Sequence, residues 1–460
     1  MRSDVGRLYL LMVLFLARAA WPAEPQPAES TGPAPPARFV DRVREKLHVS
    51  GTLGIEGAVE LRDGDLQKFE GLLEPEFELS LPHESQLTVI PRLRWDPADN
   101  LAPGQPSQDS SSEYNRSWNI GDTLELELRE AYLQTSIQGT YLTIGKQQVV
   151  WGEADGLKVL DVVDPQDYRE FILDEFDDSR IPLWTVKAEI PIKSATLQLL
   201  WIPDPTHHRI PEAGATYEFV SNIPQAPPGI PVTINDVDRP SNPIGDSDVG
   251  AQLSAMIGGW DVTFNYLFQY DDIPVLYRTI NAGPGGPSIT VGPAYERTHV
   301  IGGSFSNAFG DLTLRGELAY KVDKHYPVED AADPDGINRT DELEYVIGLD
   351  WFGFSETVLS AQFFQSILTS DAPGMLRDQV ENNLTFLVQR DFLNDALVVS
   401  GIWIQNINHG DGVLRPSIKY EVRSNLEVSA GVDWFYGNDH GLFGQFGDAT
   451  RLVLGMKIGF

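Results

Sequence analysis

The stretch from Gly145 to Arg180 carries the densest concentration of chemically capable side chains. Glu153, Asp155, Asp161, Asp164, Asp167, Glu170, Asp174, Glu175, Asp177 and Asp178 are opposed only by Lys158, Arg169 and Arg180. Three readings fit such a set. Carboxylates ringing a pore favour cations and disfavour anions. The run Asp174-Glu175-Phe176-Asp177-Asp178 offers hard oxygen ligands suited to Ca2+, but it lacks the spacing and the turn glycine of a helix–loop–helix calcium site. A run of like charge is also what a solvated loop face looks like. Catalysis would require a nucleophile beside a base. Of the histidines His48, His83, His207, His208, His299, His325, His409 and His440, only His299 sits clearly inside a strand pattern. No serine partner is legible beside it, and His207-His208 reads as a solvated or satisfied pair in a Pro-rich loop. The chain is therefore read as a non-enzyme with no resident cofactor or metal, bound Ca2+ at the acidic stretch being the alternative.

The surrounding sequence must explain why a strand runs into so much like charge. The chain has 460 residues, no cysteine, 34 Lys+Arg against 67 Asp+Glu, and a formal net charge of −33. That balance excludes nucleic acid as a partner, because such binding rests on Lys and Arg neutralising phosphates. The first residues read as a secretory signal peptide: Arg2 and Arg7, an apolar run from Leu8 to Leu16, and Ala17-Arg18-Ala19 as a cleavage site, giving a signal over 1–19 with cleavage as late as 23. Residues 20–46 read as a Pro-rich linker with a short helical lead-in, which leaves no room for a folded plug domain ahead of residue 47.

From Leu47 the hydrophobic period becomes two. Trp260, Val262, Phe264, Tyr266, Phe268 and Tyr270 alternate with Asp261, Thr263, Asn265, Leu267 and Gln269. The segments 311–323 and 426–436 alternate in the same way, which is the strand signature. These runs approach the about 9–11 residues that a tilted strand needs to cross a bilayer, and large aromatics gather near their ends. Short connections such as 136–139, 257–259 and 423–425 alternate with long ones such as 96–122, 151–182, 204–246 and 271–295. That asymmetry predicts an all-β transmembrane antiparallel barrel over 47–460, with about 18 strands and about 16 as the alternative. The final run ends in Phe460, which resembles a barrel-insertion signal read by the barrel-assembly machinery. Charged residues inside the strands must face a wet lumen, since Lys or Arg facing lipid costs about 2–4 kcal/mol at the midplane. Asp261, Arg315, Glu317, Lys321, Glu427 and Asp433 are the lumen-wall candidates.

The acidic stretch is then an insert leaving a strand at the long-loop end. In "PQDYREFILDEF", Tyr168, Phe171, Ile172 and Phe176 recur at helical spacing, and Asp164-Pro165 is a helix-start signal. A partly helical insert in or over the lumen is expected, with its apolar stripe buried against the wall. Trp151, Glu153, Asp155, Asp161, Asp164, Asp167, Arg169, Glu170, Asp174, Asp177 and Arg180 are its candidate constriction residues. Arg169 and Arg180 are expected to pair with neighbouring carboxylates.

Gly145-Lys146-Gln147, Trp151-Gly152-Glu153, Asp155-Gly156, Asp164-Pro165 and Arg169-Glu170 together resemble the signature of a Gram-negative outer-membrane barrel family of unknown function, grouped with porin-like and alginate-export-like barrels. The resemblance implies an outer-membrane location among lipid and lipopolysaccharide, and an even strand count places both termini in the periplasm. It also implies transport of a hydrophobic or lipid-like molecule together with a periplasmic carrier and an inner-membrane exporter of the resistance-nodulation-division type. The competing readings are a non-transporting surface barrel, either adhesive or structural, and a barrel-embedded hydrolase.

Overall fold

The computed structural model describes residues 46–460 except 222, 225, 285, 331 and 332. The expected signal peptide, linker and nearly all of the helical lead-in fall outside these residues.

Eighteen strands close into one antiparallel barrel. The first nine are β1 (Leu47–Glu60), β2 (Leu66–Leu81), β3 (Ser85–Trp95), β4 (Leu124–Ile137), β5 (Thr140–Gln147), β6 (Leu183–Ile192), β7 (Ala195–Ile202), β8 (Asp248–Ile257) and β9 (Trp260–Tyr270). The rest are β10 (Arg297–Phe309), β11 (Leu312–Pro327), β12 (Ile337–Trp351), β13 (Thr357–Leu368), β14 (Val380–Phe392), β15 (Leu397–Asn406), β16 (Gly412–Arg423), β17 (Leu426–Tyr436) and β18 (Arg451–Gly459). Each strand pairs with its neighbours in sequence, and β18 closes on β1 from Thr52↔Gly459 to Glu60↔Arg451. Closure matters because hydrocarbon offers no partner for an unpaired backbone group. A nineteenth strand of the same sheet, Trp118–Ile120, pairs only with β4 at its loop end.

The alternation seen in the sequence sets the two faces. On β9, Phe264 is 59% exposed, while its neighbour Asn265 and nearby Leu267 are fully buried. On β17, Trp434 is 53% exposed between buried Asp433 and Phe435. Leu, Ile, Val and Phe side chains are exposed in this way all round the outer wall, which suits lipid and not water. No described helix is long and apolar enough to cross a membrane.

Tight turns such as 138–139, 193–194 and 258–259 lie at one end, where β1 enters and β18 leaves. The long connections 96–123, 148–182, 203–247 and 271–296 gather at the other. The 271–295 segment, expected as a loop, forms a hairpin of Val275–Gly283 and Gly286–Ala294, with Val232–Ile234 adding in parallel.

The helix expected over 165–176 does not form. The insert's one helix is Phe176–Ser179. Its backbone bonds go elsewhere: Tyr168 N–H donates to Arg209 O at 2.9 Å, Arg209 N–H to Gln166 O at 2.9 Å, and Ile181 N–H to Pro165 O at 2.7 Å. Phe171 adopts a φ of 56°, which no helix allows. Partners distant in sequence prevail over the local 3.6-residue pattern.

Candidate functional site

The segment between β5 and β6 turns inward and crosses the lumen. Its first half packs mainly by apolar side chains. Val149, Trp151, Val159, Leu160 and Val163 form one buried cluster with Leu200 of β7, Leu267 of β9, Val300 of β10, Val346 of β12 and Phe364 of β13. The wall makes room at two glycines. A Cβ on Gly250 would lie 3.0 Å from the Trp151 ring, and one on Gly302 would lie 2.5 Å from Leu160 Cδ2. Polar groups fix the crossing. Trp151 Nε1 donates to Gln198 Oε1 at 2.8 Å, and the Glu317 carboxylate accepts from the Glu153 and Leu160 N–H groups. Asp155 meets Arg315 and accepts from Gln362 Nε2 at 3.0 Å.

The second half is seated mainly by ion pairs. Asp161 binds Arg180 at 2.9 Å and Lys158 at 3.2 Å. Asp177, itself exposed, binds Arg180 at 2.6 Å. Arg169 bridges Asp167 at 2.7 Å and Glu125 of β4 at 2.9 Å. Glu170 is 1% exposed and lies between Lys68 of β2 and Arg451 of β18, the latter at 2.9 Å. Arg451 passes to Asp433 at 2.8 Å, and Arg415 joins the same carboxylate at 2.8 Å while donating to Leu173 O. Arg92 of β3 reaches Asp178 at 3.0 Å, and Arg129 donates to Asp177 O at 2.6 Å. One apolar anchor interrupts this network: Phe171 packs in a ring cluster with Phe435, Phe443 and Phe446.

Burial and neighbours set the proton affinities of the insert. Burial raises the affinity of Glu170, but the Lys68 and Arg451 charges prevail and hold it at about 2. Burial, then the Glu170 charge, push Asp174 up to about 7. Burial also lifts Asp164 well above the carboxylate range, against the bond from Val149 N–H at 2.6 Å.

Beside the second half lies a cavity of about 700 Å³, walled by β14–β18 and β1–β3. Leu72, Leu387, Ile402 and Val453 line it together with Lys419 and Lys457. Glu427 and Asp433 face it, as does Asp174. Of the other wall candidates, Arg315 and Glu317 hold the insert, and Lys321 pairs with Glu344 at 2.7 Å. Asp261 sits exposed beside the Gly258–Gly259 turn, away from the insert. Glu175, Asp177 and Asp178 each turn to a different basic residue, so they do not converge on a common point. Phe460 exchanges backbone bonds with Gly51 at 3.0 Å and is 52% exposed. His299 Nδ1 lies 2.9 Å from Tyr266 Oη, and His208 Nδ1 accepts from Gln166 N–H at 2.9 Å.

Sequence reasoning missed the wall partners Lys68, Arg92, Glu125, Arg129, Arg415 and Arg451. Their signal was present: each is a charged residue at an inward position of an alternating strand. The field of carboxylates is thus largely neutralised by basic residues on the wall and within the insert.

These features define a membrane-spanning β-barrel with an insert folded into its lumen. A family described as proteins of unknown function (DUF1302) matches residues 96–371, and the chain belongs to that family. No curated protein matches the chain by sequence. Among solved structures, the chain is similar to OccK2 (OpdF) of Pseudomonas aeruginosa in complex with glucuronate, at 10% identity, 90% of this chain, 98% of that one and a TM-score of 0.49. It is similar to OmpT of Vibrio cholerae at 10% identity, 90% and 97% coverage and a TM-score of 0.41. A mutant Rh. blastica porin aligns at 11% identity, 90% and 100% coverage and a TM-score of 0.39.

Proposed function

We propose that the protein is a gated channel of the Gram-negative outer membrane, closed by its insert, that moves a hydrophobic or lipid-like molecule. The observation that carries this reading is the insert itself. One continuous segment contacts strands on every side of the lumen, so passage requires part of it to move. An even-stranded single-chain barrel with short turns at one end suits that membrane, its short-turn end and both chain ends facing the periplasm. The cavity lining sets apolar chains such as Leu72, Leu387, Ile402 and Val453 among both acidic and basic residues, a mixed surface that suits an amphiphile with a polar headgroup. Delivery by a periplasmic carrier and an inner-membrane exporter is what the family resemblance implies. The barrel acts as a conduit and not as an enzyme.

A second reading has its own observation. Val232, Ile234 and Ile280 of the three-stranded sheet stand exposed among the long connections, where a surface partner could bind.

Single-channel conductance in planar bilayers tests the first reading. The intact protein should be closed, and a variant with 154–178 replaced by a short Gly-Ser linker should conduct. Equal conductance of the two would overturn the gate and favour the surface barrel.

A further inference from the structure

The wall is not uniformly bonded. Between β2 and β3 the register runs Gly71↔Trp95, Leu72↔Arg94 and Leu73↔Leu93, then resumes at Phe77↔Val89. Continuing that register sets Pro75 directly opposite Pro91, two prolines in facing strands of a barrel that has no free edge. Proline has no N–H to give, and within sheets it is confined to edges, strand starts and bulges. In an antiparallel ladder, alternate residue pairs exchange both bonds and the pairs between exchange none. The loss of the pairs at 74, 75 and 76 together is explained if Pro75–Pro91 is an exchanging pair. Both of its bonds are then chemically impossible, and the flanking pairs fall with it. The ladder from β2 to β1 supports this, because it runs through Gly51↔Pro75 without interruption. On the other side, the β3–β4 register shifts between Ile90 and Pro91. Two carbonyls therefore face each other across a mid-strand seam with no backbone donor.

The seam separates lipid from the cavity. Phe69, Phe77 and Trp95 are exposed on the outer face above and below it. Behind it stand Glu74 and Arg92, paired at 2.6 Å across the two strands, and Leu72 and Glu74 line the cavity. Arg92 is also the residue that holds Asp178 of the insert at 3.0 Å. This unbonded part of the wall is thus tied to the insert by one guanidinium. Non-helical backbone with open carbonyls is tolerated at membrane depth where it borders a wet cavity, which this one does.

We propose that the β2–β3 seam is a lateral portal, through which the apolar chain of an amphiphile passes between the cavity and the bilayer when the insert releases Arg92. The proposal rests on the transport reading and names the route and the substrate class, a chain-bearing amphiphile.

The test uses the full protein in phosphatidylcholine vesicles containing an acyl-chain diazirine analogue, with photo-crosslinks mapped by mass spectrometry. Label should appear at outward Leu73 and Phe77 and at inward Leu72 and Ile402. Pro75→Val with Pro91→Val restores both bonds, and inward label should be lost while outward label stays. The chain has no cysteine, so Phe77→Cys with Val89→Cys gives a second variant that keeps both prolines. Its oxidised form should lose inward label and regain it on reduction. Inward label that persists in the valine variant and the oxidised cysteine variant overturns the portal and leaves the transport reading standing, with cargo entering by another route. Inward label absent from the unmodified protein also overturns the portal, and the insert-deletion conductance then decides the transport reading by itself.

Discussion

The two sides of the lumen are occupied by opposite chemistries. Against β6–β13 the insert presents Trp151, Val159, Leu160 and Val163, and the space is filled. Against β14–β18 and β1–β3 it presents Glu170, Asp174, Glu175 and Asp178, and a cavity remains. Apolar packing is insensitive to pH and has no substitute partner, whereas a carboxylate held by Lys and Arg can exchange them for water or a ligand headgroup. On the gated-channel proposal, the difference gives the first half of the insert the anchoring role and the second half the movement. That second half is also the one next to the seam.

The largest expected effect is on the ionic side. Glu170→Gln leaves Lys68 and Arg451 buried without their shared carboxylate, and breaking a buried pair costs about 3–5 kcal/mol. The channel should leak in bilayers while the barrel still folds. An unaltered closed state would show that ion pairs do not hold the gate. Leu160→Ala probes the other side. Leu160 is fully buried, and truncation in such a core costs about 2–5 kcal/mol. Its added leak should follow the pH dependence of the unmodified protein and bring none of its own. A new pH dependence would erase the distinction between the halves.

How far the sequence spoke depends on the kind of contact. The strands were legible because alternation is local, and Phe264 and Trp434 face outward as their period demands. The insert's position could be read from where β5 ends. Its internal form could not. Tyr168, Phe171 and Phe176 have helical spacing, but Phe171 turns to Phe443 and Phe446, more than 250 residues away along the chain. No local pattern encodes that partner. The counter-charges were legible as inward charges but not as partners, because Lys68 and Arg451 meet Glu170 only once barrel register brings β2 and β18 to the same side. Pro75 and Pro91 look unremarkable until that register makes them face each other.

A smaller effect should appear on titration. Asp174 has its proton affinity raised to about 7 in the docked insert, against about 3.9 when free in solution. Between those values the docked form holds more protons than the released form, so docking weakens as pH rises from about 4 to 7 and is level above. Glu170, held at about 2, works in the opposite sense. Its contribution is complete above its free value of about 4.3 and fades only as pH falls toward 2. Open probability should therefore be lowest near pH 4–5 and higher at pH 8. Asp174→Asn should flatten that rise. A rise that survives the substitution would assign the titration to another group.

The smallest effect should come from the pair at the rim of the same cavity. Lys419 of β16 meets Glu175 at 2.5 Å, but their side chains are 41% and 69% exposed. Water competes for both charges and salt screens them, so the pair contributes about 0–1 kcal/mol. Lys419→Ala should leave the channel closed and shift the unfolding midpoint little, and high salt should hide the difference. It is the control for Glu170→Gln, since both remove an ion pair between insert and wall and differ chiefly in burial. If the exposed pair proved as costly as the buried one, net charge and not desolvated geometry would be holding the insert, and the gate would respond to ionic strength across its whole second half.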